Sequence, residues 1–255
     1  MNRSSPGQHV PRLGDELVGA FMLLTRLPIG ALSRRAIEPS DGVWAYPLVG
    51  VVIGAVGGAV FWIGHALALP PVVSATWGIA ATVMATGGLH EDGLADTVDG
   101  LGGGRNRERK LAIMRDSRIG GFGALALILS ITLRVAAVST IADPARVMTA
   151  LIVAAVAGRG AMLLPLLLVR PARDDGLAAP FAAASQTRVF VGLMLTVIVT
   201  LLSGGFPAWL VSVAAACFLT WVVRRQIGGY TGDILGAIEQ FAECAALTAC
   251  VSRFA

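Results

Sequence analysis

AYPLVGVVIGAVGGAVFWIGHALAL, residues 45 to 69, contains no Asp, Glu, Lys or Arg. Wound as a helix rising about 1.5 Å per residue, a stretch of this length crosses the roughly 30 Å of hydrocarbon in a bilayer. Runs of the same kind recur at 72–89, 120–141, 146–169, 188–204, 207–223 and 234–252. With 55% hydrophobic and 14% charged residues over 255 positions, the chain has too little polar surface for a soluble domain. Lipid offers no partner to bare backbone groups, so spanning segments are helices or closed barrels. The alternating pattern of a barrel is absent. The sequence therefore predicts an all-α, polytopic transmembrane helical bundle with about seven spans.

Upstream, residues 16 to 32 (ELVGAFMLLTRLPIGAL) are apolar but interrupted by Arg26 and Pro28. They read as an N-terminal interfacial or re-entrant helix. Residues 1–15 are polar and read as a disordered tail, leaving 16–255 as a single membrane domain. A basic stretch, apolar core and small-residue cleavage site do not follow one another at the N-terminus, so no cleaved signal peptide is expected. Cys217, Cys244 and Cys250 lie in apolar segments without CxxC spacing and read as packing residues. Glycines in the first and fourth spans suit close helix contact.

Basic residues orient the bundle. Arg3, Arg12, Arg26, Arg34 and Arg35 precede the first span, and a second group from Arg105 to Arg118 lies between the second and third. Arg170, Arg173 and Arg188 follow the fourth, and Arg224 and Arg225 the sixth. The alternate loops carry only Arg146. The positive-inside rule then puts the N-terminus and every charged loop in the cytoplasm. A formal net charge of +4 is too small to indicate nucleic acid.

One of those loops opens with GLHEDGLADTVDGLGGG, residues 88 to 104. Continued as a helix from the second span, it places Asp92, Asp96 and Asp99 at spacings of four and three, on one face. Like charges so arranged are unfavourable unless a cation lies between them. Carboxylate oxygens select hard cations, and Mg²⁺ commonly takes one or two carboxylates together with phosphate oxygens. Gly102 and Gly103 permit close backbone approach to a ligand. Arg105, Arg107, Arg109, Arg115 and Arg118 offer the planar fork that suits phosphate, or serve as positive-inside anchors. Asp116 is a further ligand or a salt-bridge partner of its neighbours. His90 is a general base, a hydrogen-bond partner or a ligand. Near the C-terminus Asp233 stands at the mouth of the last span as a metal or substrate candidate. Glu239 and Glu243 lie inside that span, functional or paired with Arg134 and Arg159.

These residues resemble the cobalamin synthase (adenosylcobinamide-GDP ribazoletransferase) family. The resemblance lies in His90 to Leu101, in Leu111 to Gly120, and in Thr25-Arg26-Leu27-Pro28. It continues in Tyr46-Pro47-Leu48-Val49-Gly50 and Gly228-Gly229-Tyr230-Thr231-Gly232-Asp233, in an order that covers nearly the whole chain after residue 15. Glu91 and Ile234 depart from the pattern, which has an apolar and a small or polar residue there. The resemblance implies a Mg²⁺-dependent transferase of the bacterial inner membrane with its active site facing the cytoplasm. It would join adenosylcobinamide-GDP to α-ribazole or its 5′-phosphate and release GMP. Asp92, Asp96 and Asp99, with Asp116 or Asp233, would hold the metal; a homo-oligomer is compatible with the sequence. A CDP-alcohol phosphotransferase would instead show a DG-x2-AR block, whereas here Asp92-Gly93 is followed by Ala95-Asp96 with no Arg in the matching place. A cation-coupled transporter would spread its acids through the bilayer and carry paired broken helices.

Overall fold

Each backbone N–H in an apolar surrounding needs a partner within its own segment, and the chain meets this need with helices almost throughout. The computed structural model describes residues 13–32, 38–176 and 178–255. Among them run α1 (Leu13–Leu24), α2 (Tyr46–Ala66), α3 (Pro71–Thr86), α4 (Leu89–Gly103) and α5 (Arg107–Ile113). Then follow α6 (Gly121–Ile141), α7 (Pro144–Ala161), α8 (Leu164–Leu168), α9 (Gln186–Leu202), α10 (Phe206–Gln226) and α11 (Gly232–Phe254). The fold is all-helical, as expected. Leu13 to Asp15 already belong to α1, and the rest of the expected tail lies outside the described residues.

Among the described residues, five or six candidate spans meet the length and hydropathy needed for a crossing, against the seven expected. Val43–Ala66, Gly121–Ile141, Pro144–Leu168, Phe206–Gln226 and Gly232–Phe254 are long and apolar enough to cross a bilayer. A sixth crossing results if α3 and α4 count as one broken span, bent by 88°. At 17 residues, α9 reaches only about 26 Å. The bend also corrects the expectation that the second span runs on through the acidic motif. Gly87 and Gly88 both adopt left-handed backbone, with φ of 68° and 69°. Two such residues in succession end one helix and start another in a new direction.

Close packing in the centre comes from small residues. Gly50, Gly54 and Gly58 recur every fourth position on α2 and face α7. A Cβ on them would lie 2.6 Å from the Ala155 carbonyl oxygen, 2.5 Å from Ile152 Cα and 2.9 Å from Met148 Cα. The two backbones therefore touch along two turns, the contact that drives helix association where lipid removes the hydrophobic term. Leu125, Ile128 and Leu129 on α6 and Phe218 and Trp221 on α10 point outward, as lipid-facing side chains do. The N-terminal helix is tied to the rest of the bundle by polar contacts. Buried Glu16 of α1 accepts a hydrogen bond from Trp44 Nε1 at 2.7 Å and pairs with Arg188, which also reaches Asp41 at 2.8 Å.

Candidate active site

Two glycines set the acidic helix in place. A Cβ on Gly93 of α4 would lie 2.6 Å from the carbonyl oxygen of Asp233, and one on Gly236 of α11 would lie 3.3 Å from His90 Cα. The helices thus cross in backbone contact, which brings Asp92 and Asp96 beside Asp233. Asp96 feels the negative charges of Asp92, Asp233 and Asp99. Asp92 is exposed and Asp96 half-buried. Neither makes a hydrogen bond or an ion pair among the described residues. Asp233 is more constrained: Thr231 donates to it at 3.1 Å and Arg173 at 3.3 Å. The same threonine hydroxyl caps α11 by accepting from the Ile234 N–H at 3.3 Å.

These acids open on two spaces. A cleft of about 430 Å³ is bordered by Arg26, Asp92, Asp96, Ser117 and Ile119. A smaller cavity of about 100 Å³ is lined by His90, Asp92, Asp233, Tyr46, Met162 and Phe181. Leu89 and Asp92 line both. His90 is buried, with Nδ1 3.5 Å from Glu239 Oε2 and Nε2 without a partner.

Asp99 shares the helix face of Asp92 and Asp96 but performs another task. Its two oxygens accept from the Gly120 N–H at 2.7 Å and the Gly123 N–H at 2.9 Å. The first turn of α6 has orphan N–H groups and glycines with no side chain to cap them, and Asp99 supplies the cap from another helix. It lines a third space of about 250 Å³ with Gly103, Asp116, Arg118 and Phe122. Arg118 donates to Asp116 and holds its carboxyl down at about 2, so that both charges are committed to each other. Among the described residues no group of three or more His, Cys, Asp or Glu side chains is placed to hold a metal ion by itself.

Most of the basic run is structural. Arg107 donates to the carbonyls of Ile227 at 2.8 Å and Ala172 at 2.5 Å, pinning two loops that also meet through Pro171 and Tyr230. Arg115 pairs with Asp175 at 2.7 Å, and Lys110 with Gln226. Arg105 and Arg109 are exposed. Gly102 packs against the Phe122 ring and Gly103 beside Ile113.

The site accords with the chain's relatives. Residues 16–251 match the family model for cobalamin-5-phosphate synthase. The chain belongs to this synthase family. It is 45% identical over 230 residues to the adenosylcobinamide-GDP ribazoletransferase of Bradyrhizobium diazoefficiens, covering 88% of each chain. It is 41% identical to that of Mesorhizobium japonicum, over 91% of both, and 42% identical to that of Azorhizobium caulinodans, over 92% of this chain and 95% of the relative. No solved structure matches.

Within this synthase, the acids inside α11 are accounted for by ion pairing. Arg159 reaches Glu239 at 2.8 Å and Glu243 at 3.6 Å; Arg134 reaches Glu91 at 3.0 Å and Glu243 at 3.4 Å. Gln240 donates to Glu239 at 3.0 Å and accepts from Ser130 at 3.1 Å. Both arginines are about 1% exposed. Glu91, the departure from the family pattern, is therefore a buried counter-ion of Arg134. Ile234 is wholly buried at the start of α11.

Sequence reasoning left two site residues aside. Arg26 interrupts an apolar segment, counts among the orienting basic residues and falls within one piece of the family resemblance, but nothing local places it near position 92. Arg173 was counted as a loop charge, and its pairing with Asp233 depends on the fold.

Proposed function

We propose that the chain is an adenosylcobinamide-GDP ribazoletransferase that joins the lower-ligand nucleoside to the corrin ring in cobalamin biosynthesis. The relatives carry that name over nearly their whole length. The observation that supports it locally is the pair of unpaired carboxylates, Asp92 and Asp96, in an open cleft on the loop-bearing face of a membrane bundle.

Those residues fit Mg²⁺. Two free carboxylates with Asp233 adjacent form an incomplete oxygen set, of the sort this ion completes with substrate phosphate and water. Asp92 and Asp96 would hold it, and the ion would supply neutralisation of charge developing on the diphosphate. Asp99 orients this arrangement by fixing α4 against α6, and Asp116 lies apart with Arg118. In the reaction the ribazole hydroxyl oxygen attacks the cobinamide-side phosphorus, the bond from that phosphorus to the GMP oxygen breaks, and GMP departs. The unpartnered Nε2 of His90, beside Asp92, is the candidate acceptor for the hydroxyl proton.

Orientation follows from charge. The loop after Arg105 borders the cleft through Ser117 and Ile119, Arg173 of the next charged loop pairs with Asp233, and an excess of arginine marks the cytoplasmic side. This charge bias supports a site that faces the cytoplasm, and family membership supports a bacterial inner membrane as its location.

The decisive experiment mixes purified protein with adenosylcobinamide-GDP, α-ribazole 5′-phosphate and Mg²⁺. Appearance of adenosylcobalamin 5′-phosphate and GMP in equal amounts is the expected result, with loss of both on chelation. Failure to form either product with Mg²⁺ present overturns the assignment; turnover unaffected by chelation overturns the metal alone.

A further inference from the structure

We propose that Arg26 binds a phosphate group of the substrate in the cleft that holds Asp92 and Asp96. This rests on the transferase reading above. Three observations carry it.

The first is a difference in partners. Arg107 is spent on backbone carbonyls, Lys110 on Gln226, Arg115 on Asp175, Arg118 on Asp116, Arg173 on Asp233 and Arg188 on Glu16 and Asp41. Arg26 lines the cleft of about 430 Å³ and its side chain has no hydrogen-bond or ion-pair partner among the described residues. Asp92 and Asp96 line the same cleft and are equally unpaired. One space thus presents a free guanidinium and two free carboxylates that do not neutralise one another. A ligand carrying a cation for the acids and an anion for the arginine satisfies both, and a metal-bound phosphate is such a ligand.

The second is that the arginine is built in. Its N–H donates to the Ala85 carbonyl at 2.8 Å, which ties the loop after α1 to the end of α3. Thr25 Oγ1 tightens the same loop, donating to the Phe21 carbonyl at 2.7 Å and accepting from the Leu27 N–H at 3.2 Å. The side-chain stem lies on Gly87, where a Cβ would come within 2.5 Å of Arg26 Nε and 2.7 Å of Cγ. Position 87 therefore requires glycine twice, for its φ of 68° and for the space the arginine occupies.

The third is chemical. A guanidinium binds phosphate through two parallel N–H donors, and it is always charged. The stem's seat on the α3–α4 bend points this group into the space where the acids of α4 are displayed, so the two halves of a metal–phosphate site are held by one hinge.

The phosphate could be the diphosphate of the nucleotide substrate or the monophosphate of α-ribazole 5′-phosphate, and the test separates them. Arg26→Ala and Arg26→Lys are purified, checked for monodisperse elution in detergent, and assayed against adenosylcobinamide-GDP with either α-ribazole or its 5′-phosphate. Binding of GDP in the presence of Mg²⁺ is titrated separately as a probe that needs no turnover. Loss of a charge-assisted contact corresponds to about a tenfold to hundredfold weakening. A rise of that size in KM for adenosylcobinamide-GDP in Arg26→Ala, with weaker GDP binding and a smaller defect in Arg26→Lys, assigns the diphosphate. A rise in KM for α-ribazole 5′-phosphate, with that for α-ribazole unchanged, assigns the monophosphate. Unchanged KM values and unchanged GDP binding in both variants overturn the proposal. Should Arg26→Ala not fold, Arg26→Lys with wild-type constants has the same force. A wild-type protein that forms no cobamide sinks the transferase reading instead, and the GDP titration still decides whether Arg26 holds a diphosphate.

Discussion

Three aspartates on about two turns of helix have different fates, decided by what their oxygens touch. Asp92 and Asp96 face open space with no partner, whereas both oxygens of Asp99 are bonded to backbone N–H groups of α6. Their substitutions should therefore fail differently. Asp96→Asn keeps shape but halves the local negative charge on offer to a cation; turnover is expected to fall by about a hundredfold or more, with the Mg²⁺ requirement shifted to higher concentration. Asp99→Ala should cost about 0.5–2 kcal/mol, as lost helix caps do, and show first as a lower unfolding temperature in detergent. Spacing alone showed the three on one face; it could not show which was consumed as a cap, because Gly120 and Gly123 are more than twenty positions away. The buried pairs make a second contrast. Glu239→Leu leaves Arg159 with a weaker partner and should cost about 3–5 kcal/mol, while the double change Glu239→Leu with Arg159→Met should recover much of that in the same thermal assay. A double variant as unstable as the single one would contradict the pairing.

At the level of helices, the site depends on how closely α4 crosses α11. Gly93 meets backbone, which cannot swing aside as a side-chain tip can. Gly93→Val is expected to push the helices apart, destabilise the protein by about 1–3 kcal/mol, and separate Asp92 and Asp96 from Asp233. Activity should drop by more than the stability loss explains, measured as kcat on the fraction still folded at low temperature. Equal losses in both would mean that the crossing matters only for folding. The break at Gly87 and Gly88 belongs to the same scale. A pair of glycines before a helix is common in sequence, and nothing in the neighbouring residues distinguishes a soft joint from an 88° turn. The turn arises because α4 is drawn into contact with both α6 and α11, long-range partners that local patterning does not reveal. Gly50, Gly54 and Gly58 were easier, since a four-residue repeat of small residues inside an apolar run has one main structural use.

Across the whole molecule, the helical membrane bundle was legible because lipid leaves so few alternatives, and the acidic motif was legible because charge is scarce in this chain. The number of crossings was less so. Composition alone does not separate a helix of 17 residues from a full span, nor a bent pair from a straight one. Orientation is open to a direct check in a cysteine-free background. An impermeant maleimide added to intact spheroplasts should label Ala145→Cys and leave Glu108→Cys, across α6 from it, untouched until the membrane is opened. The reverse pattern would put the cleft outside. Another consequence reaches back to synthesis. Arg134 and Arg159 enter the bilayer long before the ribosome has made Glu239 and Glu243, and each bare cation at that depth is costly by about 2.5–3.5 kcal/mol on insertion scales. Of the carboxylates that pair with them among the described residues, Glu91 is the one made before the final helix arrives. Biogenesis must then hold the earlier segments in a sheltered, half-assembled state, and a nascent chain that stops short of residue 239 leaves an orphaned arginine for quality control to find.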